Sequence, residues 1–214
     1  MICNLVFDFD GTLVDTVDCI WGEYENVMDK MGLAPITHRQ FTQNIGKTWE
    51  DIITTFWPDI DASEFTSNYD VGAEIAKPFV GVDEALNRLS LDYELAIMTS
   101  RGSHSFLQHA KTCSVDLSMF VGVYHKDNLK YNKPDPRALH QVLDELGFDP
   151  EQTLYVGDSV VDAECAFDAG CGFVGVLSGG AYVEDFESAG VRHIIENVSK
   201  LPALLEDIDD GFTR

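Results

Sequence analysis

After residue 78, apolar segments of strand length alternate with amphipathic helical segments, and this alternation constrains the fold more than any other feature of the chain. The pattern predicts strands at 93–98, 120–124, 153–156, 172–177 and 192–195. It predicts helices at about 82–90, from 103, and at about 136–147, 160–169 and 199–206. Strands separated by helices pair in parallel, with helices packed on both faces of the sheet. We therefore predict an α/β fold with a Rossmann-like parallel sheet.

A further buried strand is predicted at the amino terminus, where the apolar run Ile2–Phe7 stops at Asp8 and Asp10. Side chains two positions apart on an extended chain point the same way, so both carboxylates face one cleft. Ligands bind at the carboxyl ends of strands in open α/β sheets. Two close carboxylates repel each other unless a cation or a shared proton relieves them. The pair therefore indicates a metal site, an acid/base pair or both, although Asp before Gly is also ordinary turn chemistry after a strand.

Residues 15–78 show helical spacing and no convincing strand, which predicts helices at 17–31, 39–45, 49–56 and 63–76. We therefore predict a core domain of residues 1–14 and 79–214 and an inserted helical cap domain of residues 15–78, placed to cover the carboxyl ends of the strands. Gly46, Lys47 and Thr48 form a candidate substrate loop, because a glycine break leaves a cation and a hydroxyl between two helices. A solvated helix start is the ordinary alternative for Lys47.

The composition of the chain excludes several classes of partner. Its 37 acidic and 14 basic residues give a formal net charge of −23, whereas nucleic acids and anionic membranes are bound through clustered Lys and Arg. No apolar run approaches the roughly 20 residues that span a bilayer, and the amino terminus lacks a secretory pattern. Five scattered cysteines fit reduced thiols. We expect a cytoplasmic protein, monomeric or homodimeric, without nucleic acid or membrane partners.

Polar residues of suitable chemistry follow three later segments. Thr99 and Ser100 follow a predicted strand, where a hydroxyl would donate to phosphate oxygens or would cap the next helix. Lys133 precedes a proline that restricts its backbone, although an exposed loop lysine is the ordinary alternative. Asp158 lies at a strand tip and Asp162 one helical turn later, so both carboxylates face one site. A plain helix N-cap is the alternative for Asp158.

Together these groups are typical of phosphoryl transfer. Carboxylates from two strands would hold a hard cation such as Mg²⁺, Thr99 and Lys133 would hold a phosphoryl group, and one aspartate would remain to attack phosphorus. In this order they resemble the haloacid dehalogenase superfamily of hydrolases, over nearly the whole chain. The helical insertion resembles the small cap of that family, and the segments 175–180, 188–195 and 201–205 look like its phosphoglycolate phosphatase-like branch. The four motifs that carry the resemblance are Asp8-Phe9-Asp10-Gly11-Thr12-Leu13, Thr99, Lys133, and Gly157-Asp158 with Asp162.

The resemblance implies a role for each catalytic residue. Asp8 is the expected nucleophile, and Asp10 is expected to protonate the leaving group and then activate water, a task that suits a carboxylate with a raised pKa. Lys133 is expected to neutralise the nucleophile and the phosphate. Thr99 and Ser100 are expected to donate hydrogen bonds to the phosphoryl oxygens.

The same resemblance implies a metal site and a substrate site. Mg²⁺ is expected on a carboxylate oxygen of Asp8, the main-chain carbonyl of Asp10 and the carboxylate of Asp158, with Asp162 as a further ligand or acting through a water. Gly11 and Lys47 complete the predicted substrate-binding residues.

The implied activity is Mg²⁺-dependent hydrolysis of a small, phosphoglycolate-like phosphate monoester through an aspartyl-phosphate. Dehalogenases and phosphonatases of the family lack an aspartate at the position of Asp10, so its presence favours phosphate esters and disfavours Lys47 as a phosphonatase Schiff-base lysine. The alternatives are a β-phosphoglucomutase-like phosphomutase and a pyrophosphatase or nucleotidase of the same family. A non-enzymatic binding protein is disfavoured because no motif position is missing.

Overall fold

The computed structural model describes residues 1–73 and 75–207. Its strands in chain order are β1 (Asn4–Phe7), β2 (Val14–Asp15), β3 (Lys77–Pro78), β4 (Glu94–Met98), β5 (Phe120–Tyr124), β6 (Thr153–Gly157), β7 (Gly172–Val176) and β8 (His193–Ile195). Six of them form a parallel sheet in the order β5-β4-β1-β6-β7-β8, which confirms the predicted fold class. Because β4, β1 and β6 are neighbours, Thr99, Asp8 and Asp158 follow adjacent strand ends.

The helices fall into two groups, those of the insertion between residues 17 and 68 and the later ones that cover both faces of the sheet. They are α1 (Val17–Met31), α2 (His38–Thr42), α3 (Trp49–Phe56), α4 (Ala62–Asn68), α5 (Val82–Leu89), α6 (Ser103–Thr112), α7 (Pro136–Leu146), α8 (Val160–Asp168), α9 (Val183–Ser188) and α10 (Leu201–Asp207). Leu5 and Phe7 of β1 pack into one apolar cluster with α5 and α6, whereas Val6 packs into a second cluster with α7 and α8. Burial on both faces explains why the strand is a continuous apolar run.

The helical insertion has an apolar core of its own. Tyr24 of α1 lies at its centre, with ring centroids 4.9 Å from Phe41 and 5.0 Å from Phe65. Helices α1 and α3 have the predicted bounds. Helix α4 ends at Asn68, well before the predicted residue 76, because the Asp70 carboxylate accepts the N–H of Gly72 and stabilises a turn instead.

The two chain segments that lead into and out of the helical insertion pair with each other. Strands β2 and β3 form a two-residue antiparallel ladder, so the expectation of no strand in this part of the chain is wrong at its edges. A ladder this short has no periodicity to detect. Helix α9 was likewise not predicted, because it is six residues long and buries Phe186 alone. The domain limits at 14/15 and 78/79 stay a prediction.

Polar contacts join the helical insertion to the rest of the chain at three places. The Ser100 hydroxyl donates to the Gly46 carbonyl at 2.5 Å, and Arg39 pairs with Asp185 at 2.7 Å. Lys126 and Glu50 form a further ion pair. The contact of Ser100 with Gly46 places the insertion beside the carboxyl end of β4. Across residues 1–73 and 75–207, no helix combines the length and apolarity needed to cross a membrane.

Candidate active site

Lys133 is the centre of a buried ionic cluster at the carboxyl ends of β1 and β6. Its Nζ donates to Asp162 Oδ1 at 2.6 Å, Asp8 Oδ1 at 2.9 Å and Tyr155 Oη at 3.2 Å. Burial lowers the pKa of Lys133, but the charges of Asp162 and Asp8 outweigh it and hold that pKa well above its usual range. The lysine lies in the loop between β5 and α7, but its side chain is buried, so the alternative of an exposed loop lysine is wrong.

Three buried carboxylates face one another beside this lysine. Oxygen atoms of Asp8, Asp158 and Asp162 all lie within 4.8 Å of one another. Burial, opposed by Lys133 and reinforced by the neighbouring carboxylates, raises the pKa of Asp8 to about 7. Burial together with Asp8 and Asp162 raises the pKa of Asp158 well above its usual range. When all three carboxylates are ionised, one ammonium leaves two negative charges uncompensated, so the cluster fits a divalent cation with oxygen ligands.

Each of the two later carboxylates is held by a different local contact. Asp158 Oδ2 accepts the Gly180 N–H at 2.7 Å, so it is not a helix N-cap. Ser159 caps α8 instead, since its hydroxyl oxygen accepts the Asp162 N–H. The Ser159 hydroxyl donates to Asp162 Oδ2 at 2.6 Å. Both oxygens of Asp162 therefore have protein partners, and its carboxylate holds Lys133 in place.

Asp10 lies beside this cluster but has its own cationic partner. Arg101 donates from Nη2 to Asp10 Oδ1 at 2.8 Å and from Nε to Oδ2 at 2.9 Å. The Thr16 hydroxyl donates to Oδ1 at 2.7 Å. Burial raises the pKa of Asp10, but the charge and hydrogen bonds of Arg101 outweigh it and lower that pKa below its usual range. The expected raised pKa is therefore wrong for this arrangement.

The hydroxyls after β4 have separate tasks. Thr99 is buried, and its hydroxyl oxygen accepts the Arg101 N–H at 3.1 Å. It does not cap α6, whose N-cap is Gly102. Ser100 donates its hydroxyl proton to Gly46 of the helical insertion. Both side chains line the same cavity as Asp8 and Lys133, and their contact with a phosphate stays a prediction.

That cavity, of about 290 Å³, lies between the sheet and the helical insertion. Lys47 lines it, and its Nζ donates to Asn44 Oδ1 at 2.8 Å. Thr48 caps α3, so Lys47 lies just before the helix and is half-buried rather than fully solvated. Gly11 packs against Asp158 instead of the cavity, so its predicted contact with substrate stays a prediction. The apolar part of the wall consists of Ile20, Phe41, Ile45, Trp49, Ile52, Tyr69 and Val71.

Sequence reasoning assigned no role to three residues that hold the site together. Arg101 carried a usable signal, because it is a cation directly after Thr99 and Ser100 in a chain with 14 basic residues. Ser159 also carried one, since a serine three residues before Asp162 at a helix start is an N-cap pattern. Tyr155 carried no sequence signal, because it is an interior strand residue. Its hydroxyl accepts a hydrogen bond from Lys133 and donates one to the Met98 carbonyl.

Known proteins are similar to this chain in sequence and in fold. A family model described as haloacid dehalogenase-like hydrolase matches residues 5–176. A phosphoglycolate phosphatase of Agrobacterium fabrum is 27% identical over 218 residues, covering 95% of this chain and 92% of its own. A pyrophosphatase PpaX of Bacillus velezensis is 27% identical over 180 residues, covering 82% of this chain and 83% of its own. A solved hydrolase from Pseudomonas syringae has a TM-score of 0.86, covers 96% of this chain and 99% of its own, and shares the fold at 23% identity.

Proposed function

Because the chain belongs to the haloacid dehalogenase-like hydrolase family, we propose that it is a Mg²⁺-dependent phosphatase acting on a small phosphate monoester. One observation carries the proposal. The buried cluster of Lys133 with the carboxylates of Asp8, Asp158 and Asp162 lies at the carboxyl ends of β1 and β6, and Asp8, Lys133 and Thr99 line one cavity. That combination supplies a nucleophile, charge neutralisation and a phosphate hydrogen-bond donor, which are the main requirements of phosphoryl transfer.

The chain's own residues divide the reaction into two displacements. A carboxylate oxygen of Asp8 attacks phosphorus and the bond to the leaving oxygen breaks. Asp10 gives that oxygen a proton from its acid form, which is the minor form because Arg101 lowers its pKa. Asp10 then takes a proton from water, which attacks the aspartyl-phosphate, releases inorganic phosphate and regenerates Asp8. Lys133 balances the charge of Asp8 throughout, because its Nζ is already 2.9 Å from that carboxylate. Thr99 holds the phosphoryl oxygens.

The charge of the cluster supports Mg²⁺ as the bound cation. Asp8, the main-chain carbonyl of Asp10 and Asp158 would hold it, with Asp162 behind them, and when bound it would supply further charge neutralisation at the phosphate. Four basic side chains (Lys47, Arg101, Lys126 and Lys133) line the cavity with four acidic ones (Asp8, Asp10, Glu50 and Asp127). The cavity is thus balanced in a chain of formal charge −23, and a divalent cation makes it favourable for an anionic substrate.

A pyrophosphatase is the second candidate, because the PpaX relative matches over most of both chains. A phosphomutase would use the same residues. The proposed partner is a small phosphorylated metabolite. The absence of nucleic acid and membrane partners, a cytoplasmic location and a monomeric or homodimeric state stay predictions.

Phosphate release from a panel of esters tests the proposal. We expect the purified protein to release phosphate with Mg²⁺ from at least one of phosphoglycolate, sugar phosphates, nucleotides and p-nitrophenyl phosphate, and to stop when the metal is chelated. Pyrophosphate as the preferred substrate would favour the second candidate. Isomerisation of a sugar phosphate that needs a bisphosphate primer would favour the mutase. No release from any compound with Mg²⁺ present would contradict the proposal.

A single methyl group next to Asp158 is expected to weaken Mg²⁺ binding. In Gly179→Ala, the new Cβ would lie 1.9 Å from Asp158 Oδ2, so the carboxylate must move. We expect the Mg²⁺ concentration for half-maximal activity to rise by about 10–100-fold, as for other displaced metal-ligand contacts. The matched control is Gly22→Ala in α1, where a new Cβ meets nothing within 4 Å. Equal Mg²⁺ dependence in the two variants would exclude Asp158 from the metal site.

A further inference from the structure

We propose that Arg101 is a positioning residue that orients the Asp10 carboxylate, with Oδ2 as the oxygen left available to the reacting group in the cavity. The inference rests on the proposed function, because it assigns Asp10 the acid/base task in that reaction. No motif of the family resemblance includes Arg101. Its role follows from the contacts between two side chains that both line the cavity.

The two oxygens of Asp10 have unequal numbers of hydrogen-bond donors. Oδ1 accepts from Thr16 Oγ1 at 2.7 Å, from Arg101 Nη2 at 2.8 Å and from Arg101 Nε at 3.1 Å. Oδ2 accepts from Arg101 Nε at 2.9 Å. A carboxylate offers about four acceptor positions over its two oxygens, so Oδ1 is fully used and Oδ2 keeps capacity for one more partner. The Asp10 side chain is still 17% exposed, which leaves it accessible from the cavity.

Arg101 is itself fixed from several directions, which lets it orient another group. Its Nη1 donates to Ser105 Oγ on α6 at 2.5 Å. Its main-chain N–H donates to Thr99 Oγ1 at 3.1 Å, and its carbonyl accepts the Lys126 N–H at 3.1 Å. The side chain is 9% exposed. The guanidinium is planar and rigid, so a group anchored on one edge to α6 and on the other to Asp10 sets the plane of that carboxylate.

Direct binding of an anionic substrate group is the rival task for Arg101, since it lines the cavity. Two edges of the guanidinium are already directed at Asp10 and Ser105, which favours the positioning role. The two tasks predict different kinetics. A residue that acts through Asp10 changes the step in which the leaving group takes a proton, whereas a binding residue changes KM.

The test compares Arg101→Lys and Arg101→Met on two esters with Mg²⁺ present. An alkyl phosphate needs a proton on its leaving oxygen, whereas p-nitrophenolate leaves well without one. For Arg101→Met we expect kcat/KM to fall about 100-fold on the alkyl ester, but only about 10-fold on p-nitrophenyl phosphate. Lysine keeps the positive charge but cannot donate two parallel hydrogen bonds to the carboxylate. We therefore expect kcat/KM of Arg101→Lys on the alkyl ester to fall about 3–10-fold. Arg88→Lys, at an exposed ion pair with Glu206 on the far helices α5 and α10, is the control.

A double-mutant cycle with Asp10→Asn completes the test. If Arg101 acts through Asp10, Arg101→Met adds less than about twofold to the loss caused by Asp10→Asn, because contacting residues are not additive. Three results would each overturn the inference and leave the proposed function standing. They are a double variant whose loss is the product of the two single losses, equal losses on both esters in Arg101→Met, and a raised KM with unchanged kcat. If Arg101→Met does not fold, Arg101→Lys carries the ester comparison and the cycle. A wild-type protein without any turnover would instead overturn the proposed function, and this inference with it.

Discussion

The variant Asp8→Asn is expected to lose Mg²⁺-dependent phosphate release by about 10⁴-fold or more, the loss seen when a catalytic nucleophile is removed. An amide cannot form the phosphorus–oxygen bond of the first displacement. The structure also indicates that the variant folds. Asp8 is one of three buried carboxylates, and burial together with repulsion from its neighbours raises its pKa to about 7. An uncharged side chain of the same size removes both of these costs.

Two measurements check this result together. Phosphate release gives the activity, and thermal unfolding without added metal is expected to give a melting temperature at or above that of the wild type. Asp59→Asn makes the same chemical change at an exposed position outside the cavity and is expected to alter neither. Retained activity in Asp8→Asn would remove Asp8 as the nucleophile. Lost activity with a much lower melting temperature would show that Asp8 is needed for folding, contrary to the charge argument.

Adjacent strand ends explain why so much of this site was predictable. Asp8, Thr99 and Asp158 each follow directly on a buried apolar strand, and β1 lies between β4 and β6. Parallel strands bring their carboxyl ends to one edge of the sheet, so the order of elements alone places these residues together. Asp162 was predictable for a different reason, since a helical turn fixes its distance from Asp158.

The contacts that local sequence patterns could not predict depend on side-chain reach across the fold. Lys133 lies in a loop, and its Nζ meets Asp8 after a sequence separation of 125 residues. Arg101 meets Asp10 across 91 residues and reverses the expected shift in the pKa of that carboxyl. Local patterns such as strand periodicity and helix capping carry no information about such pairs. The sequence therefore predicts which residues gather, whereas the charge state of each depends on the assembled structure.

Lys133→Met is expected to be the most destabilising of the proposed substitutions. The lysine is buried and is hydrogen-bonded to Asp8 and Asp162, so its loss leaves three buried carboxylates without a cation. Breaking a buried ion pair by removing one partner costs about 3–5 kcal/mol of the free energy of unfolding. Urea unfolding without added metal measures this loss. Saturating Mg²⁺ is expected to restore part of it, because a ligand that binds the folded state stabilises that state.

The same loop supplies the control for this variant. Lys130→Met removes an exposed lysine three residues earlier and is expected to change stability by less than about 0.5 kcal/mol. Asp162→Asn added to Lys133→Met removes one of the uncompensated charges, so the double variant is expected to recover part of the lost stability. Phosphate release is expected to stay low in it, because Asp8 still lacks its cation. Equal stability of Lys133→Met and Lys130→Met would show that the buried cluster does not depend on the lysine for charge balance.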